Sequence, residues 1–412
     1  MRKVLPLILA ACITLPGLWL KLSGVHLAPP PAALLSGLAI LGASFLLLWA
    51  CDVAQMDIPQ TLALAVVALI AVLPEYAVDM YFTWQAGKNP QSDYAHYAIA
   101  NMTGANRLLI GVAWSALAAI HWFKARRRIT LDVEQRTEVL FLGLATAYAF
   151  VIPLKGSLAW YDGIVFLALY GWYIRLASQR PCQECELEGP AELIGALPRN
   201  RRRAAVAGLF LFAAGVILAS AELFSENLVA SGKVFGINEF VLVQWLAPIA
   251  SEAPEFIVAI MFVLRGQAAT AMGSLLSSKL NQWTLLVGMI PGVYGLASGG
   301  FAHPLPLGPY QMHELFLTAA QSLFAVALLA RLSLGPGAAA LLFCMFTGQL
   351  VGPVLLEGVD LSALPFGGGT DGLHELFSAG YVILFGIVAW RNRRDVWALR
   401  LGASVEQSII EQ

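Results

Sequence analysis

Residues 250–266, ASEAPEFIVAIMFVLRG, form a run apolar enough for a bilayer that nevertheless holds Glu252 and Glu255, three positions apart around Pro254. A second Pro-Glu pair, Pro74-Glu75, closes the stretch VLPE at 72–75. A carboxylate at membrane depth is costly and faces a bundle interior, a water-filled cavity or an ion path. Proline removes a backbone donor and disrupts the helical ladder one turn earlier, so the freed carbonyls must find another partner. Two such breaks facing each other supply carboxylate, carbonyl and amide oxygens, the hard donor set that suits calcium or sodium. Glu75 and Glu255 are the first candidate ligands, with Glu252 and the neighbouring Ser251 beside them. Asn101 can add its amide oxygen, and Thr103 and Asn106 follow it closely. The alternative readings are a buried glutamate that simply holds its proton, and helix caps or interhelical hydrogen bonds for the polar trio. Asp79, one turn past Glu75 on the same helix face, lines an access path or sits at the water boundary.

The elements that hold these residues are membrane helices. The chain has 412 residues, 58% hydrophobic and only 12% charged, with mean hydropathy +0.72. That is about half the charge of a soluble domain, and the apolar character runs nearly throughout, as in a polytopic membrane protein. The net charge of −1 offers no large basic surface for nucleic acid. Apolar runs long enough to span recur from 4–22 to 372–390, giving about twelve transmembrane helices. The basic clusters MRK, KARRR (124–128), RNRRR (199–203), Arg265, Arg331 and RNRR (391–394) all fall on one side of the alternating passes. The positive-inside rule makes that side cytoplasmic, with both termini inside an inner membrane. The first run also reads as a signal peptide, although no small-x-small pattern follows WLKLSG. Cys182 and Cys185 lie in the longest hydrophilic loop, where one CxxC without a nearby histidine falls short of a four-ligand zinc site. The tetrapeptide HELF, at 313–316 and 374–377, starts two helices. Its acids complement the helix dipole there, or serve an outer metal or pH-sensing role.

The two halves repeat each other. IPQTLALAVVALIAVLPEYAVDMYF (58–82) aligns with NEFVLVQWLAPIASEAPEFIVAIMF (238–262), and AIANMTGANRLLIG (98–111) with AMGSLLSSKLNQWTLLVG (271–288). Each half thus has a helix broken by Pro-Glu followed by one that opens with small and polar residues. Three spans separate the pairs, so the second enters from the opposite face, the inverted-repeat plan of secondary transporters. These elements resemble the two α-repeats of the cation/calcium exchanger superfamily, whose first repeat helix carries Ser/Thr-x-Pro-Glu and whose second carries Gly-Asn/Asp-x-x-Gly-Ser-Asn. SAELFSENLVASGKVFGINEF (220–240) also resembles the family helix leading into its repeat.

The resemblance implies an all-α, inverted-repeat, five-plus-five helix exchanger core. Repeat 1 would cover 26–178 and repeat 2 204–356. An additional N-terminal helix (1–25), a cytoplasmic loop (179–203) and a C-terminal helix with its tail (357–412) complete the chain. It also maps Ser274 onto the Asn/Asp position and Lys279 onto the asparagine of the second repeat, while Val72 and Glu252 stand where the family has a hydroxyl. Lys279 is then either a salt-bridged tie between helices or a resident cation that couples ion entry. The expected function is a secondary-active cation antiporter exchanging calcium or sodium against sodium or protons by alternating access. A sodium/proton antiporter that does not carry calcium is the alternative within transport. A sensor or scaffold using CQEC is the alternative outside it. An intramembrane aspartyl enzyme would need paired Asp residues where this chain has Glu, so no enzyme is expected. No cofactor is expected beyond the transported cations, and no partner beyond ions, protons and lipid.

Overall fold

The computed structural model describes residues 4–57, 72–179, 187, 189–355 and 370–401. Cys182, Cys185, the leading part of the 58–84 run, the first three residues and the tail after 401 lie outside the described residues. The helices are α1 (Val4–Ser23), α2 (Pro29–Ala54), α3 (Leu73–Lys88), α4 (Tyr94–Ala125), α5 (Val133–Lys155) and α6 (Trp160–Ala177). They continue with α7 (Arg199–Phe235), α8 (Glu239–Arg265), α9 (268–297), α10 (Pro309–Leu329), α11 (Pro336–Leu355) and α12 (Thr370–Arg391). Among the described residues, eight helices are long and apolar enough to cross a membrane: α1, α2, α4, α5, α7, α8, α10 and Gly372–Arg391 within α12. That count covers the described residues alone, and the leading part of the expected 58–84 span lies outside them. Large apolar side chains such as Leu9, Trp19, Leu211, Leu218, Ile383 and Trp390 are exposed along these helices. They need a lipid surround rather than water.

The described residues divide into two compact units, one drawn from Met1–Asn101 and Ile174–Glu255, the other from Met102–Tyr173 and Phe256–Gln412. In the first, Ala39, Ala43, Leu46, Ala50 and Val53 form one stripe of α2 that packs with Ala213, Val216 and Ile217 of α7. Alanines on the stripe let two helix backbones approach closely, which is how helices associate where there is no water to expel. Beyond the end of α2, Asp57 gathers Arg202 at 2.8 Å, Arg203 at 3.4 Å and Arg199 at 3.5 Å. The hydrogen bond from Arg202 above all holds that carboxyl down at about 2, well below the usual carboxylate range.

In the second unit the inversion of the repeats is visible in two short antiparallel ladders. Strand β1 (Ile129–Thr130), just before α5, pairs with β4 (Ser333–Leu334), just after α10. Strand β2 (Ser157–Leu158), just after α5, pairs with β3 (Leu305–Pro306), just before α10. Since α5 runs from β1 to β2 and α10 from β3 to β4, these equivalent helices of the two repeats lie antiparallel. The aligned glycines behave alike. At Gly111 of α4 a methyl group would overlap Phe346 of α11, and at Gly288 of α9 it would stand 3.2 Å from the Gly163 carbonyl of α6. Each glycine thus admits the last helix of the other repeat.

Candidate functional site

In the first unit, α3 spaces Glu75, Asp79 and Thr83 at four-residue intervals, so the three share a face, and all three are buried. Pro74 lies in the first turn, where its missing N–H breaks no bond, and the Tyr76 N–H reaches the Val72 carbonyl at 3.1 Å. Asn101 of α4 is also buried and donates Nδ2 to Asp79 Oδ1 at 3.2 Å. That bond turns the amide oxygen away from the carboxylate. Asp79 Oδ2, Asn101 Oδ1 and Thr83 Oγ1 then have no hydrogen-bond partner among the described residues. Buried polar atoms are normally satisfied, and a cluster of unsatisfied oxygens beside a carboxylate is the environment a hard cation completes. The water-boundary reading of Asp79 is corrected: its bond to Asn101 draws it fully into the interior, and Thr83 joins the same face.

The second Pro-Glu element differs from expectation. α8 is one continuous helix through Pro248 and Pro254, so the expected break is absent there. Each proline removes a single ladder bond, and a long helix tolerates that loss. The carbonyl of Ala250, one turn before Pro254, still loses its intrahelical donor. Ser251 and Glu252 are buried and Glu255 half-buried. The Ser251 hydroxyl turns back onto its own helix, 3.3 Å from both the Ala247 and Pro248 carbonyls.

In the second unit, Thr103, Asn106 and Lys279 are fully buried. The Lys279 ammonium donates to Asn106 Oδ1 at 2.7 Å and to the Asn106 carbonyl at 3.3 Å, and lies 4.5 Å from the centroid of the Trp283 ring. Asn106 Nδ2 bonds the Met102 carbonyl at 2.8 Å, which fixes its oxygen toward the lysine. Two asparagine oxygens therefore hold an ammonium as they would hold a small cation. Ser274 departs from the expected ligand set, because it is exposed whereas Ser278 one turn later is buried. A π-helical turn follows each polar segment, over Leu109–Trp114 in α4 and Gln282–Leu286 in α9. Such turns often mark functional positions.

Sequence reasoning missed Arg107. It is buried next to Asn106 and ion-pairs with Glu314 of α10. Gln321 Nε2 reaches its carbonyl at 3.3 Å. Glu314 belongs to the first HELF copy, and the two copies pair reciprocally. His374 Nε2 stands 3.4 Å from Glu314 Oε1, and His313 Nδ1 stands 3.6 Å from Glu375 Oε1. The repeated tetrapeptide was the available signal, since two copies of one motif invite a mutual contact.

A family model described as sodium/calcium exchanger protein matches residues 31–179 and again 205–353. CaxA of Alkalimonas amylolytica, provisionally described as an antiporter, is 23% identical over 252 residues, covering 59% of this chain and 74% of its own length. The crystal structure of an H+/Ca2+ exchanger, CAX, is 42% identical and superposes with a TM-score of 0.90, covering 99% of both chains. Two more distant structures share the fold. The sodium-calcium exchanger NCX_Mj is 18% identical with a TM-score of 0.52, covering 79% of this chain and 97% of its own. YfkE is 15% identical with a TM-score of 0.63, covering 83% and 98%.

Proposed function

The chain belongs to the sodium/calcium exchanger family, and from that premise we propose that it is a calcium/proton antiporter working by alternating access. The observation that carries this reading is the buried face of α3, which presents Glu75, Asp79 and Thr83; Asp79 meets Asn101, and Asp79 Oδ2, Thr83 Oγ1 and Asn101 Oδ1 have no hydrogen-bond donor among the described residues. Calcium takes six to eight oxygens and favours carboxylates among them. Glu75 and Asp79 supply the charge, Asn101 orients Asp79 and adds a neutral oxygen, and Glu255 with Glu252 supplies the corresponding acids of the second repeat. A bare buried carboxylate is expensive, so a proton takes the metal's place as the metal leaves. The similarity to a structure described as an H+/Ca2+ exchanger supports protons as the counter-ion.

The direct test loads purified protein into liposomes and follows calcium and proton fluxes together. Calcium uptake driven by an outward proton gradient, unaffected by sodium, is expected. Proton flux driven by sodium with no calcium movement would replace this reading with the sodium/proton alternative.

Lys279 accounts for the sodium independence in this proposal, since its ammonium occupies the oxygens of Asn106 that a monovalent ion would use. In Lys279→Asn, calcium flux is expected to become sensitive to sodium on either side. If Lys279 is a helix tie alone, the variant loses thermal stability and its ion preference stays as it was.

The basic ends of the spans support an orientation in the inner membrane with both termini cytoplasmic. Single cysteines at 85–93 and 296–312 are expected to react with an impermeant reagent in intact cells, and those at 189–203 are not. Labelling within 189–203 from outside would invert the topology.

A further inference from the structure

The end of α4 carries a charged feature that cation exchange does not use. A cavity of about 610 Å³ is lined by His121, Trp122, Arg126, Arg127, Arg128 and Thr130. The three arginines are exposed, and among the described residues none of them pairs with a carboxylate. The cluster that opens α7 is different, because Arg199, Arg202 and Arg203 all converge on Asp57. Basic residues at a helix C-terminus complement its dipole and orient a span, but neither role requires a cavity.

The backbone holds the arginines in place. Arg126 closes α4 in the left-handed conformation, φ 54° and ψ 29°, with its N–H on the Trp122 carbonyl at 2.9 Å. Glycine is the usual occupant of such a cap, and a side chain there is retained against local strain. Just past Arg128, Ile129–Thr130 is tied into the ladder with Ser333–Leu334, and Lys124 is bonded to the Leu264 carbonyl at the end of α8. The arginine run is therefore clamped at both ends rather than trailing as a flexible tail. Phe123, beside Trp122, is 73% exposed at the end of a membrane-spanning helix. Aromatic side chains at that level sit among lipid headgroups and upper acyl chains.

We propose that this pocket binds the phosphate headgroup of an anionic membrane lipid. The guanidinium groups match phosphate oxygens in bidentate geometry, His121 and the Trp122 indole add ring donors at the rim, and Phe123 lies along the acyl chain. The adjacent apolar ring and the position at a span end favour a lipid over a soluble phosphate.

The test follows the melting temperature of the full-length protein in a neutral detergent. Short-chain phosphatidylglycerol, the matching phosphatidylcholine and inorganic phosphate are titrated separately. A saturable rise of several degrees is expected with phosphatidylglycerol alone, and it weakens as salt is added. Arg127→Gln with Arg128→Gln should lower the apparent affinity about thirtyfold, on the scale of one surface-lipid charge contact per arginine. Arg126→Gly relieves the left-handed cap, so it folds at least as well without lipid and should also bind phosphatidylglycerol more weakly. An unchanged lipid response in both variants, or an equal rise with inorganic phosphate or phosphatidylcholine, would overturn the assignment.

Discussion

Glu75→Gln is expected to abolish calcium flux in proteoliposomes while the protein still inserts and melts near the wild-type temperature. The substitution keeps the volume and shape of a buried side chain on α3, so it leaves no cavity. What changes is charge and donor count. A carboxylate offers two oxygens and a negative charge, whereas the amide offers one oxygen and points an N–H₂ group at the cation. Disturbing a residue that only supports a ligand costs about 10–100-fold in metal affinity, so losing a ligand charge should cost at least the upper end of that range. Asp79→Asn makes a useful companion, because an asparagine there can still accept the Asn101 N–H now held at 3.2 Å. Its flux should fall as Glu75→Gln does while the Asn101 contact survives. Glu255→Gln should also stop exchange, since the two repeats contribute one Pro-Glu acid each. Near wild-type calcium flux in Glu75→Gln would mean that the face of α3 is misassigned.

Those acids were legible in the sequence because the signal is local: a carboxylate within an apolar run is anomalous wherever the chain folds. The repeats were legible for the same reason, since alignment needs no contact information. Contacts that join distant segments were not. Lys279 and Asn106 are 173 residues apart, and nothing in GSLLSSK names an asparagine as the lysine's partner. The prolines of α8 misled in the opposite direction, because a missing donor predicts a break, yet the helix runs through both. Neighbouring ladder bonds and packing along a 27-residue helix carry it past each gap. The π-helical turns at Leu109–Trp114 and Gln282–Leu286 have no sequence pattern of their own. Two-residue strands are likewise too short to show period-two alternation. They nevertheless display the inversion of the repeats more directly than any motif does.

The second large effect concerns stability and falls on Arg107 and Glu314. Both are buried and ion-paired between α4 and α10, and His374 of α12 stands on the other oxygen of the same carboxylate. A neutral interhelical hydrogen bond within a membrane contributes only about 0.6 kcal/mol on average. Orphaning a buried charge is a different matter and costs about 3–5 kcal/mol. Arg107→Met should therefore lower stability by roughly that amount, because it leaves the Glu314 carboxylate without its guanidinium. Glu314→Leu should cost more still, since one substitution removes the carboxylate that faces both Arg107 and His374. Glu314→Gln keeps an oxygen for one of the two donors and should fall between wild type and Glu314→Leu. The double variant Arg107→Met with Glu314→Leu removes both charges and should recover part of the loss, because an apolar pair of similar volume replaces an ion pair at little net cost. Thermal unfolding of the four variants in one detergent measures the cycle. If the double variant is destabilised by the full sum of its two single changes, the residues do not act as a pair.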